Sequence, residues 1–150
     1  MNAMNTKTKL ENALKDAMRA NDEVRKRTLR MALSSMKLAE IEKGDAVDEA
    51  SLLVILQKEI KSRHESITDA ERAGRQDLIG AAQAEIAILE EYLPKPFSMS
   101  ELEELAKQAI SETGATSMRE MGQVMKVLMP RLQGRATGDQ ASQEIRKILG

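Results

Sequence analysis

Met118, Met121, Met125, Leu128 and Leu132 recur at spacings of three, four, three and four, which aligns all five on one stripe of an α-helix and on neither face of a strand. The same periodicity runs through Leu10, Leu14, Ala17 and Met18, through Leu52, Leu56, Ile60 and Ile67, and through Leu78, Ala82, Ile86, Leu89 and Leu93. Shorter stripes appear at Leu102, Leu105, Ala106 and Ala109 and at Ala141, Ile145 and Ile148. Between the first two long stripes, Leu29, Leu33 and Met36 together with Met31, Leu38 and Ile41 form a wider apolar arc, as expected of a central helix contacted on two sides. With one Phe and one Tyr in the chain, the core must be aliphatic and rich in Met, a composition that suits helices better than sheets. The expectation is an all-α protein of about seven helices.

Helix starts are written in the chemistry of the cap. Thr8 with Glu11, Ser98 with Glu101, Ser117 with Glu120 and Thr137 with Gln140 each have the spacing of a capping box, and Phe97 with Leu102 has that of a hydrophobic staple. Gly44, Gly74, Gly114 and Gly134 mark stops. Leu93-Pro94-Lys95-Pro96 is the strongest boundary, because each proline removes a donor and pushes its predecessor out of helical geometry. The expected organisation is an N-terminal four-helix domain over 1–93, a proline hinge over 94–97, and a smaller three-helix bundle over 98–150. Pro130 is expected to end the sixth helix near Met129 or to kink it into a separate turn before Gly134. Met4 is a second candidate start, which makes the first few residues a frayed extension.

Several classes of chemistry lack their residues. No Cys is present, which removes disulfides, thiolate nucleophiles and Cys-ligated metals and fits a reducing, cytoplasmic compartment. No apolar run approaches the ~20 residues of a membrane span, and no signal-like segment opens the chain. The single histidine, His64, cannot supply a two-histidine metal site; its helical spacing from Leu56 and Ile60 reads as a partly buried structural residue. No glycine-rich phosphate loop is present either. Adjacent carboxylates such as Glu90 and Glu91 point in different directions and read as solvated faces. No catalytic residue, no metal ligand and no cofactor is assigned.

Two basic clusters remain. Arg25, Lys26, Arg27 and Arg30 crowd the start of the second helix, where the dipole disfavours positive charge. Compensation by Asp22, Glu23 or another helix is expected, so the cluster reads as ion pairs and a solvated face, with a phosphate site as the alternative. In the second cluster, Arg119, Lys126, Arg131, Arg135, Arg146 and Lys147 stand against Glu120, Asp139 and Glu144, whereas the whole chain has a formal net charge of −1. There Gly134-Arg135-Ala136-Thr137-Gly138 offers a glycine-lined turn, an Arg and free amides at a helix N-terminus. A phosphate could sit there, although an ordinary C-cap followed by an N-cap accounts for the same residues. With so few rings to stack bases, folded RNA read by backbone and shape fits better than single strands.

Five strings identify a family resemblance: Glu85-Ile86-Ala87-Ile88-Leu89-Glu90-Glu91-Tyr92-Leu93-Pro94, Met121-Gly122-Gln123-Val124-Met125-Lys126, Gly134-Arg135-Ala136, Arg63-His64-Glu65-Ser66-Ile67 and Ala73-Gly74-Arg75-Gln76-Asp77-Leu78. Together they resemble the YqeY family over nearly the whole chain. The resemblance implies a helical N-terminal part and a three-helix C-terminal part similar to the tail of the B subunit of the tRNA-dependent amidotransferase. In that enzyme the tail contacts tRNA, while ATP and glutamine-dependent carbon–nitrogen ligase chemistry belong to other parts, for which this chain shows no counterpart. Carried over by position, Gly122, Lys126, Gly134 and Arg135 match the tail motif and, with Arg131, form the candidate nucleic-acid-binding set. Thr137 stands where the family usually has Asp, and Thr can still cap the seventh helix.

The function expected is therefore a non-catalytic helical module that binds tRNA or associates with a tRNA-amidation complex. The alternative is a protein-interaction adaptor without RNA binding, using the Met-rich stripe or the arc of the second helix. An accessory amidation activity around Arg63, His64, Glu65 and Glu85 ranks last.

Overall fold

A computed structural model describes residues 5–150; Met4 lies outside them. The described chain is all-helical: α1 Thr6–Arg19, α2 Glu23–Lys43, α3 Glu49–Arg72, α4 Gln76–Glu90, α5 Met99–Thr113, a 3₁₀ turn Met118–Glu120, α6 Met121–Leu132 and α7 Gly138–Leu149. No strand occurs among the described residues. The contacts separate one unit ending at Leu93 from a second over Pro94–Gly150.

In the first unit α1 packs on α2 and α3 on α4, with α2 also touching α3 and α4. The core gathers Leu10, Ala17, Leu29, Ala32, Met36, Leu52, Leu56, Ile88 and Leu89. A buried Leu contributes roughly 2 kcal/mol relative to leaving it in water, so this cluster is what holds the four amphipathic faces together. Two stripes depart from the expected positions. Leu78 is 49% exposed and Ile79 is buried instead, while Met18 is exposed beside buried Ala17. The arc of α2 is covered on one side only: Leu29, Ala32 and Met36 are buried, whereas Met31, Leu38 and Ile41 face outward.

In the first unit the caps follow the same logic, with Asn5 in the place expected of Thr8. α1 begins at Thr6, and Asn5 is its N-cap, accepting the Thr8 amide at 2.8 Å. Thr8 is therefore inside the helix rather than its cap. The first turn is anchored long-range, because the Glu49 carboxylate accepts the Thr6 N–H at 3.0 and 3.2 Å and also its hydroxyl. Asp22 caps α2 and receives the Arg25 amide at 3.1 Å. Gly44 closes α2 at φ +79°, a left-handed conformation that costs a glycine nothing.

Three of the four positive residues at the start of α2 find the expected compensation, and among the described residues Arg30 does not. Lys26 pairs with Glu23 at 2.8 Å, Arg25 with Asp22 and, in two bonds of 2.7 and 3.2 Å, with Glu91, the residue that caps the end of α4. The Arg25 hydrogen bond holds the Glu91 carboxyl below its ordinary pKa. Arg27 reaches Glu85 at 3.3 Å. His64 is exposed, and the buried residue beside it is Arg63 at 6% exposure. Arg63 donates from Nε to Glu85 at 3.1 Å and from Nη1 to the Glu59 carboxylate at 2.8 Å and carbonyl at 3.0 Å. The neighbourhood considered for an accessory activity thus splits, with Arg63 and Glu85 joined in a structural network while His64 and Glu65 face outward.

The second unit packs α5, α6 and α7 pairwise around Leu102, Ala106, Ala109, Val124, Leu128, Leu132, Ala141 and Ile145. Ser98 caps α5 by accepting the Glu101 amide at 3.1 Å, and Phe97 packs against the same core that buries Leu102. Ser117 precedes the 3₁₀ turn, not α6, and makes no side-chain cap bond. Met118 sits in that turn and is exposed; the inward face of α6 is Val124, Leu128 and Leu132, with Met121 and Met125 flanking. α6 also runs through Pro130 to Leu132. Leu128 and Leu132, one turn apart, are both buried, so continuing the helix keeps an apolar anchor that offsets the single backbone bond the proline removes.

Candidate nucleic-acid interface

α6 presents two opposite faces. With Val124, Leu128 and Leu132 inward, a 100° step per residue puts Gly122 and Lys126 close together on the outward face. Gly122 is exposed, and a Cβ added there would meet nothing within 4 Å. Lys126 is exposed and makes no ion pair among the described residues. Arg119, in the turn before α6, and Arg146, on α7, are likewise exposed and without an ion-pair partner among the described residues.

The other candidate cations are engaged within the unit. Arg131 pairs with Glu112 of α5 at 2.6 Å. Arg135 has three internal partners: Nε donates to the Lys95 carbonyl at 2.8 Å, Nη2 to Glu101 at 3.2 Å, and the guanidinium lies 4.0 Å from the centre of the Phe97 ring. The Arg135 carbonyl in turn accepts the Phe97 amide at 2.9 Å. Lys147 pairs with Glu144 at 3.0 Å. The structure thus brings Gly122 and Lys126 together on one face, gives Arg131 to the seam between α5 and α6, and gives Arg135 to the contact between the start of α5 and the loop that joins α6 to α7. What the sequence reading misses is these two carboxylates of α5: it gives Glu101 only a place in the Ser98 capping box and gives Glu112 no role, and the packing of the unit makes them the partners of Arg135 and Arg131.

The glycine-bordered corner is closed by its own backbone chemistry. Gln133 and Gly134 both take left-handed conformations, at φ +49° and +78°, which reverses the chain after α6. The Thr137 hydroxyl accepts the Gln140 amide at 3.1 Å and the Gln140 side chain accepts the Thr137 amide at 2.9 Å, a complete capping box. The Met129 thioether lies 3.3 Å from where a Gly138 Cβ would stand. Two of the amides that could face an anion at this helix start are therefore spoken for, and Met129 packs against its first residue. Elsewhere, the described residues hold no group of three or more His, Cys, Asp or Glu placed to bind a metal, and no helix long and apolar enough to cross a membrane.

These features define a class: an all-helical protein of two small helical units, the second carrying one lysine, Lys126, unpaired among the described residues, on the outward face of its middle helix. The match to the Yqey-like protein family model spans residues 7–149, and the chain belongs to the YqeY family. Among curated relatives it is 30% identical over 145 residues to "Altered inheritance of mitochondria protein 41, mitochondrial" of Pyrenophora tritici-repentis, an alignment covering 95% of this chain and 80% of that protein. Proteins of the same name from Vanderwaltozyma polyspora and Saccharomyces cerevisiae are 39% identical over 85 residues and 38% over 95. Those alignments cover 56% and 63% of this chain and 46% and 51% of the yeast proteins, about half their length.

Proposed function

We propose that the protein is a non-catalytic helical module that binds folded RNA of the tRNA type and works beside a tRNA-amidation complex, with the amide-transfer chemistry supplied elsewhere. The observation that carries this reading is the outward face of α6, where Lys126 has no internal partner and Gly122 one turn earlier leaves room for a close backbone approach. A phosphate contacted by Lys126 needs no aromatic platform, which suits a chain with one Phe and one Tyr. In this reading Arg131 and Arg135 shape the unit and Lys126, with Arg119, touches the RNA. The working compartment is an aqueous one in which tRNA is aminoacylated. The cytoplasm is the expectation from the sequence, and the fungal relatives' names carry the word mitochondrial.

The test is tRNA affinity measured across a range of salt for the native chain and for Lys126→Ala. Loss of one phosphate contact should weaken binding and reduce the slope of log affinity against log salt by about 1. Negligible binding by both proteins at low salt would overturn the reading. A second reading, a protein-interaction adaptor, is favoured by one observation: Met31, Leu38 and Ile41 stand exposed along α2. A partner retained from nuclease-treated lysate by the native chain and lost by Leu38→Glu would favour the adaptor.

A further inference from the structure

The N-terminal half of α2 and the middle of α3 leave between them a groove of about 550 Å³, walled by Lys26, Arg27, Arg30, Met31 and Ser34 on one side and Glu59 on the other. It is an open surface groove whose volume falls within the range of small-molecule sites. Its charge is not balanced. The cations facing it or lying directly behind it are Lys26, Arg27, Arg30 and Arg63; the carboxylates are Glu23, Glu59 and Glu85. Each carboxylate is already bonded to a cation of the set, which leaves one positive charge over. That surplus sits at Arg30, which is exposed and has no ion-pair partner among the described residues.

A second observation concerns the wall. The Arg63 side chain is only 7% exposed, and its Nε and Nη1 are satisfied by Glu85 and Glu59. Its Nη2 has a different partner, the Met31 sulfur at 3.7 Å. A thioether is a weak acceptor, and a buried guanidinium nitrogen gains from exchanging it for a charged oxygen. Met31 lines the groove and is itself 48% exposed, so its unbranched side chain can swing away. The Ser35 hydroxyl is committed to Glu59 at 2.6 Å, whereas Ser34 is exposed at the rim.

We propose that this groove binds the phosphate group of a small organic phosphate, with Arg30 and the Ser34 hydroxyl at the rim and Arg63 Nη2 reached by displacement of the Met31 thioether. The carboxylates on α3 and α4 hold the Arg63 guanidinium in place and do not touch the ligand. The site lies wholly in the first unit and is independent of the RNA reading of the second.

The experiment is an amide-shift titration of the full chain with inorganic phosphate and, separately, with ribose 5-phosphate, at constant ionic strength against matched chloride. Saturable shifts should appear at residues 26–35 and 59–63 with either phosphate, tighter with the ester. Arg30→Gln, at an exposed and unpaired position, should keep the native spectrum and weaken binding roughly tenfold, the loss of one charge-assisted bond. Met31→Ala removes both the competing acceptor and the side chain that must move aside, and should tighten binding. Shifts that never saturate, that chloride reproduces, or that persist unchanged in Arg30→Gln would overturn the proposal, as would weaker binding by Met31→Ala.

Discussion

The guanidinium of Arg135 lies 4.0 Å from the centre of the Phe97 ring while its Nε bonds the Lys95 carbonyl and its Nη2 the Glu101 carboxylate. One side chain thereby fastens Lys95, between the two prolines, together with Phe97 and the first turn of α5 to the loop between α6 and α7. Replacing it with Ala should destabilise the second unit by about 1–2 kcal/mol, the sum of a cation–π contact and a charge-assisted hydrogen bond at a partly exposed site. Lys should restore little of this, because an ammonium cannot stack and bond in the same plane. Urea denaturation followed at resonances of the second unit measures both.

Thr137→Ala should cost about 1 kcal/mol, since it removes the side-chain acceptor for the Gln140 amide. Thr137→Asp should retain most of the stability, because a carboxylate caps the same amide and sits at the favourable end of the helix dipole. Hydrogen exchange at the first turn of α7 should accelerate in the Ala variant and not in the Asp variant.

Arg63→Leu leaves Glu59 and Glu85 without their shared cation in a mostly buried position. The cost should be about 3 kcal/mol, at the low end for a broken buried pair because Ser35 still bonds Glu59 and Arg27 still bonds Glu85. Adding Glu59→Gln and Glu85→Gln to the same chain should recover part of the loss. A triple variant less stable than Arg63→Leu alone would contradict the account of this network.

The Arg25 hydrogen bond, aided by charge attraction and opposed by burial, holds the Glu91 carboxyl below its ordinary pKa. A carboxylate lowered in the folded state contributes stability that is complete above its unfolded pKa, about 4.3, and is lost as pH falls through the folded value. The stability gap between the native chain and Glu91→Gln should therefore be constant near neutrality and close as the solution is acidified below about pH 4. Glu91 is half-exposed, so the gap itself should be small. Denaturation midpoints at a series of pH values check the sign.

Helix existence and helix stops were legible in the chain because spacing and caps are local. Ser98 and Thr137 cap where the sequence puts them, and the all-helical class follows from periodicity alone. The misreadings share one cause: a local pattern leaves a choice between neighbours that only packing makes. Ile79 is inward where Leu78 fits the stripe equally well, Arg63 is inward where His64 has comparable spacing, and Asn5 caps where Thr8 offers the same hydroxyl chemistry. Pro130 argues for a stop until Leu132 is seen to be buried one turn beyond Leu128. For the candidate site, the shared face of Gly122 and Lys126 is a matter of register and could be read directly. The commitment of Arg131 to Glu112 and of Arg135 to Glu101 depends on which helix lies alongside, which no local pattern states.

The clustering of Leu102, Val124, Leu128 and Ile145 apart from the residues that centre on Leu29 and Leu56 has an evolutionary consequence. A three-helix piece that buries its own aliphatic side chains carries its folding instructions with it. Such a piece can accumulate substitutions among its own aliphatic side chains without disturbing the packing of the other unit.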